Sequence, residues 1–122
     1  IITPYKRQKA AIQRELEQWS KKAVSVLDSV QVKTTDQFQG SENDIIICSM
    51  VTTAKRPSAH LNDARRICVL TSRARIALYI FGRLATFRNS AQWRQVLNKI
   101  SQSSTLTLPS NVTIRNPHDL TQ

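Results

Sequence analysis

The run LNDARRICVLTSRARIALYIFG, residues 61–82, constrains this chain more than any other, because four arginines fall within eleven residues and an apolar stretch follows at once. Its two halves ask for different structures. Asn62 and Asp63 are residue types that cap helices by accepting from free backbone amides, and Ile67, Leu70 and Ala74 recur at three- and four-residue spacing. Residues 63 to about 74 are therefore predicted to form a short helix. Arg66 and Arg73, seven apart, would share the face next to that stripe. From Ile76 the pattern becomes the continuous apolar run IALYIF, closed by Gly82, which predicts a strand buried on both sides in a parallel sheet. This order sets fixed positive charge at the edge of an α/β core. A guanidinium is always ionised and presents a planar fork of donors, which suits bound or transferring phosphates; the bland alternative is a solvated helix face.

A chain of 122 residues is one domain with room for a real core. It opens on Ile1 and Ile2 with no charged leader and no cleavage site, and reads as a piece of something longer. Eighteen Lys and Arg against eight Asp and Glu give a net charge of +10, which favours a polyanionic partner such as nucleic acid. No apolar run approaches the roughly 20 residues of a membrane span, so no membrane partner is expected, and the protein reads as soluble and intracellular, cytoplasmic or nuclear. Cys48 and Cys68 each sit in an apolar stretch and are expected to be packed, reduced thiols; no spacing of Cys or His points to a metal. His60 and His118 fall in loops and receive no role.

In chain order, residues 1–3 predict a strand end broken by Pro4, and residues 6 to about 23 a helix with Ile12, Leu16, Trp19 and Ala23 in one stripe. A short extended piece over 23–27, a break at Asp28 and Ser29, and a strand over 30–35 follow. The turn TDQFQGSEND leads into an apolar strand at 45–51. Residues 52–60 are a polar loop, 84–89 a connector, and 91–100 a helix burying Trp93, Val96, Leu97 and Ile100. Phe38, Trp19 and Trp93 are assigned to core packing. The Ser-, Thr-, Asn- and Pro-rich residues 101–122 read as a weakly ordered tail, or one that packs only in a larger protein, leaving 1–100 as the domain. Strands separated by helices or long connections imply a mostly parallel α/β sheet with its polar turns gathered at the carboxyl edge.

Three polar stretches flank these strands. The first contains Ile2, Thr3, Pro4, Tyr5 and Gln8; the second Thr34, Asp36, Phe38, Gln39, Gly40, Glu42 and Asp44; the third Leu61, Asn62, Asp63, Arg65, Arg66, Ser72, Arg73, Ala74 and Arg75. Together, in this order, they resemble motifs IV, V and VI of the Upf-type superfamily-1 helicases, over residues 1 to about 98. The resemblance implies a RecA-like fold of the P-loop NTPase type, namely the C-terminal of two motor domains acting on single-stranded RNA or DNA with 5′ to 3′ translocation. It implies ATP and Mg2+ held mainly by the N-terminal RecA-like domain of the same parent chain, since no G-x-x-x-x-G-K-[ST] occurs here. The fragment alone is then expected to be inactive. A catalytically silent helicase-like scaffold that only binds nucleic acid is the alternative.

By the same resemblance, Arg73 is the catalytic arginine finger. Gln8, Lys9, Gly40, Glu42 and Arg75 join it as nucleotide-binding candidates. Lys9 stands where an arginine is usual in the family, keeping charge without the fork, and Arg75 has bracing of the strand as its alternative. Thr34, Thr35, Gln39, Arg65 and Arg66 are the nucleic-acid candidates; β-propensity competes as the reason for the threonines, and helix support as the reason for Arg65 and Arg66. The chain departs from the family pattern at Ala64, Cys68 and Leu70, all off the charged positions.

Overall fold

A computed structural model of the chain describes residues 1–22, 25–52 and 54–100. Four parallel strands form one sheet in the order β2-β1-β3-β4, where β1 is Ile2–Thr3, β2 Lys33–Thr34, β3 Asn43–Ser49 and β4 Ala74–Phe81. Parallel neighbours need crossover connections. Helix α1, Lys6–Lys22, follows β1; α2, Ala64–Ser72, leads into β4; α3, Leu84–Arg88, and α4, Ala91–Lys99, come after it. The expected α/β, RecA-like class is the observed one.

Pro4 follows Thr3 and has no amide to donate, so β1 stops after two residues. Strand β2 pairs with it only at Ile2↔Lys33 and Thr3↔Thr34. The strand expected over 30–35 is thereby cut to this pairing, and Val30 is exposed. The extended piece expected before it is instead a 3-10 helix, Ser25–Ser29. There Ser29 Oγ donates to the Val26 carbonyl at 2.8 Å and Val30 N to the Leu27 carbonyl at 3.1 Å, local bonds that compete with strand formation. Ala23, Val24 and the whole of 101–122 lie outside the described residues.

The core lies between one face of β3 and β4 and the helices that follow. Ile46, Cys48 and Met50 alternate inward along β3 and its end, and meet Ile67 and Leu70 of α2, Phe87 of α3 and Trp93 of α4. Burial raises the Cys48 thiol to a pKa of about 12, so at neutral pH it is an uncharged part of this packing. Ala74, Leu78 and Ile80 pack on the same side from β4.

Among the described residues, nothing buries the apolar side chains of the opposite face. Ile76 is 75% exposed, and Ile45, Tyr79 and Phe81 are more than half exposed. β4 is therefore not buried on both sides as its sequence predicts: it is the edge strand, and α2, α3 and α4 all pack on one face of the sheet. Trp19 is likewise not in the core. Ile12, Leu16 and Ser20 form the half-buried side of α1, leaving Trp19 57% exposed with Lys22 Nζ at 5.7 Å from its ring centre. Cys68 also points outward, on the exposed side of α2, near Ser72 Oγ at 3.9 Å. Residues 84–89 are more than a connector: Thr86 and Phe87 are buried and give α3 an inner face.

Candidate functional site

After β2 the chain must return to the amino end of β3, and residues 35–42 make that passage. Gln37 stitches its start. Thr34 N donates to Gln37 Oε1 at 3.0 Å, Gln37 N donates to Thr34 Oγ1 at 3.3 Å, and Lys9 Nζ reaches Gln37 Oε1 at 2.8 Å. Phe38 is buried beneath and pins the turn to the core. Gly40 then adopts φ +81°, a left-handed conformation that side chains with a Cβ adopt at a cost. No heavy atom lies within 4 Å of where its Cβ would stand, so backbone strain is the whole constraint. Gly40→Val is expected to lower stability by about 1–2 kcal/mol, read as a lower urea midpoint, with Gly40→Asn closer to wild type.

Helix α2 begins where the sequence places its cap. Asp63 Oδ1 accepts from Arg65 N at 2.9 Å and Arg66 N at 3.3 Å. The Arg65 guanidinium and these amides hold the Asp63 carboxyl below its ordinary pKa. The loop before the cap is tied to α4, since Trp93 Nε1 donates to the Leu61 carbonyl at 2.9 Å and Ser90 Oγ to Asn62 Oδ1 at 2.7 Å. From this start the two adjacent arginines diverge. Arg65 is 89% exposed in its side chain, with one contact to Asp63 at 3.4 Å. Arg66 is 28% exposed and grips Asp36 with two parallel bonds, Nε to Oδ1 at 3.1 Å and Nη2 to Oδ2 at 3.2 Å, while Nη1 lies 3.6 Å from Asp63. The Asp36 hydrogen bonds raise the pKa of Arg66 further above the physiological range.

A shallow cleft of about 220 Å³ opens here, lined by Thr35, Asp36, Gln39, Asp63, Arg65 and Arg66 among others. Thr35 is 2% exposed and, among the described residues, its Oγ1 has no partner. A buried hydroxyl without a hydrogen bond costs on the order of 1–3 kcal/mol.

Helix α2 ends on Arg73, its C-cap, whose carbonyl accepts from Asn43 N at 3.1 Å. Arg73 Nε is buried, and among the described residues it has no hydrogen-bond partner and the side chain makes no ion pair. One residue into β4, Arg75 donates from Nε to Asp44 Oδ1 at 2.7 Å and from Nη1 to Glu42 Oε1 at 3.1 Å. Asp44 first and Glu42 second raise its pKa.

The expected site residues thus divide into two groups. Thr34, Thr35, Gln39, Arg65 and Arg66 gather where β2 ends and α2 begins, and Gln8 and Lys9 belong with them, through Gln8 Nε2 to Ser49 Oγ at 3.3 Å and Lys9 to Gln37. Glu42, Arg73 and Arg75 stand at the amino ends of β3 and β4, whose register pairs Asn43 with Ala74. The expectation of a single carboxyl-edge site is corrected accordingly: α2 runs back along the sheet, so the third motif starts at one end and finishes at the other. Gly40 lies on the passage between them. Gln37 escaped the sequence reading because nothing in its neighbours marks it as a bridge. Asp44 was legible as part of the second motif but not as a partner of Arg75. His60, given no role, stacks on Tyr5 with centroids 5.7 Å apart and sets Nε2 at 3.1 Å from the Pro4 carbonyl.

Comparison with known proteins places these residues in context. A family described as an AAA domain matches residues 1–85. RNA helicase aquarius of Mus musculus is 51% identical over 59 residues, 48% of this chain and 4% of that protein. Regulator of nonsense transcripts 1 of Dictyostelium discoideum is 32% identical over 107 residues, 87% of this chain and 8% of that protein. Probable helicase senataxin of Mus musculus is 31% identical over 122 residues, 98% of this chain and 4% of that protein. The chain spans less than a tenth of the length of each of these relatives.

Proposed function

Because this chain belongs to the AAA-domain family of Upf-type superfamily-1 helicases, as their C-terminal RecA-like part, we propose that it is the second half of an ATP-driven motor on single-stranded RNA or DNA. The observation that carries this reading is Arg73: a guanidinium at a helix end, in the family's third motif, with a buried donor that nothing in the described chain satisfies. A donor held without a partner suits an anion supplied from outside.

In this reading Arg73 reaches the γ-phosphate of ATP when the two halves of the motor close, and withdraws when they open. Glu42 accepts from ribose hydroxyls, held in place by Arg75, and the Gly40 turn brings backbone toward the phosphates. Magnesium and the β- and γ-phosphates are held mainly by the N-terminal RecA-like domain of the same parent chain. Thr34, Thr35, Gln39 and the outward Arg65 contact the backbone of the strand, positioning it without reading sequence. Lys9 adds charge at the same end. Translocation runs 5′ to 3′, carried over from the family.

The test is strand-stimulated ATP hydrolysis by the intact protein beside the isolated 122 residues. Turnover is expected only in the intact protein. Turnover by the fragment would overturn the division of labour, and none in either would favour a nucleic-acid-binding scaffold.

A further inference from the structure

We propose that Arg66 is a positioning residue which, with Asp36, forms the strut through which strand bound at one end of α2 sets Arg73 at the other. The inference rests on the reading of Arg73 given above. Arg66 is engaged chiefly with carboxylates of this chain. Two of its nitrogens are taken by Asp36 and the third lies against Asp63, whereas its neighbour Arg65 is open to solvent. Adjacent arginines have therefore separate tasks, and sequence position alone does not tell them apart.

The partner of Arg66 lies in the part of the chain a strand would touch. Asp36 follows Thr34 and Thr35, thirty positions away from Arg66 in sequence. Thr35, whose buried Oγ1 has no partner among the described residues, lines the same cleft as Asp36 and Arg66. A phosphate or sugar oxygen that enters this cleft acts on the turn that carries Asp36. Two parallel bonds between planar groups transmit orientation as well as distance, which a single point contact does not.

From Arg66 the displacement travels through α2. The helix is ARRICVLTS, with no glycine or proline at which it would bend. Thr71 Oγ1 and Ser72 Oγ bond back to the carbonyls of Ile67 and Cys68 at 2.8 and 2.6 Å. Arg73 stands seven residues beyond Arg66, about 10 Å along the axis at about 1.5 Å per residue. A pair as accessible as Asp36 and Arg66 adds little to stability, so its distinguishing effect falls on coupling between the two ends.

The experiment uses the intact protein, ATP, and a fluorescent 15-nucleotide single-stranded RNA. Hydrolysis is measured without RNA and at RNA saturation, and RNA affinity with and without a non-hydrolysable ATP analogue. Arg66→Lys and Asp36→Asn are expected to keep RNA-free turnover and RNA affinity within about twofold, while the ratio of stimulated to RNA-free turnover falls about tenfold. The effect of the analogue on RNA affinity should shrink by a similar factor, because coupling between binding sites is reciprocal. Arg65→Ala should do the opposite, weakening RNA affinity with the ratio at saturation kept.

A wild-type ratio in folded Arg66→Lys and Asp36→Asn overturns the proposal. So does weakened RNA affinity with the ratio intact, which would make Arg66 a phosphate contact. Lysine and asparagine are the deciding substitutions because Arg66→Ala, which leaves Asp36 and Asp63 facing each other, can fail through folding alone. Arg73→Ala run in parallel separates the two readings: full stimulated turnover in that variant removes the finger itself, whatever the Arg66 variants do.

Discussion

Replacing Arg73 by alanine in the intact protein is expected to cut strand-stimulated ATP turnover about a thousandfold or more while changing nucleotide affinity far less. The size of the effect follows from where a finger acts. Charge builds on the transferring group only as the bond to the leaving oxygen loosens, so a cation placed there stabilises the transition state more than bound ATP. The geometry singles out Arg73 among the four arginines of its motif. Arg65 faces solvent, Arg66 is committed to Asp36, Arg75 is committed to Asp44 and Glu42, and Arg73 alone keeps a buried donor unspent. Arg73→Lys should recover little, because lysine keeps the charge and loses the rigid fork. Single-turnover hydrolysis beside equilibrium binding of a fluorescent ATP analogue separates the two effects. An Arg73→Ala protein within about tenfold of wild type would place the finger elsewhere.

The second large effect belongs to the core. Trp93→Ala is expected to destabilise the domain by about 3–5 kcal/mol, a large share of the roughly 5–15 kcal/mol by which domains are usually stable. Trp93 is 2% exposed, meets the ring of Phe87 edge-on at 4.8 Å, and spends its indole N–H on the Leu61 carbonyl. Truncation leaves a cavity against Phe87 and a buried acceptor with no donor. Because Leu61 immediately precedes Asn62 and the Asp63 cap, the damage extends to the seating of α2. Trp93→Phe keeps most of the volume and loses only the bond to Leu61, so it should cost about 1–2 kcal/mol. Urea unfolding followed by circular dichroism ranks the three proteins, and equal midpoints would refute the packing account.

Local chemistry was legible in the sequence where it was strong. Asp63 announced the start of α2, Pro4 ended β1, and the apolar runs at 45–51 and 76–82 marked β3 and β4 to within two residues of their starts. Trp93 was correctly placed in the core, and the order of the motifs pointed to the family. What the sequence left hidden depended on contacts between distant residues. An apolar run on an edge strand reads like one in the middle of a sheet, so nothing in IALYIF told that Ile76, Tyr79 and Phe81 would face outward. The helical period allows a stripe of α1 through Trp19, whereas the half-buried side is the one bearing Ile12 and Leu16. Within the candidate site, Arg65 and Arg66 looked equivalent. Asp36 distinguishes them from thirty positions away, and no periodicity reaches that far.

The carboxylates around these arginines bear on how ionic strength will act. Asp36, Glu42, Asp44 and Asp63, half of the eight acidic residues in the chain, are all engaged with Arg65, Arg66 and Arg75. Counting Lys9 and the four arginines, five cations face four carboxylates where the chemistry is proposed, against a net +10 for the whole chain. The excess charge therefore lies elsewhere, along α1 with Lys6, Arg7, Arg14, Lys21 and Lys22 against Glu15 and Glu17, and on the later segments with Arg88 and Arg94. Counterion release on capture of a polyanion would come chiefly from those surfaces. Added salt would then weaken the gathering of the strand well before it loosened the paired groups that hold and align it.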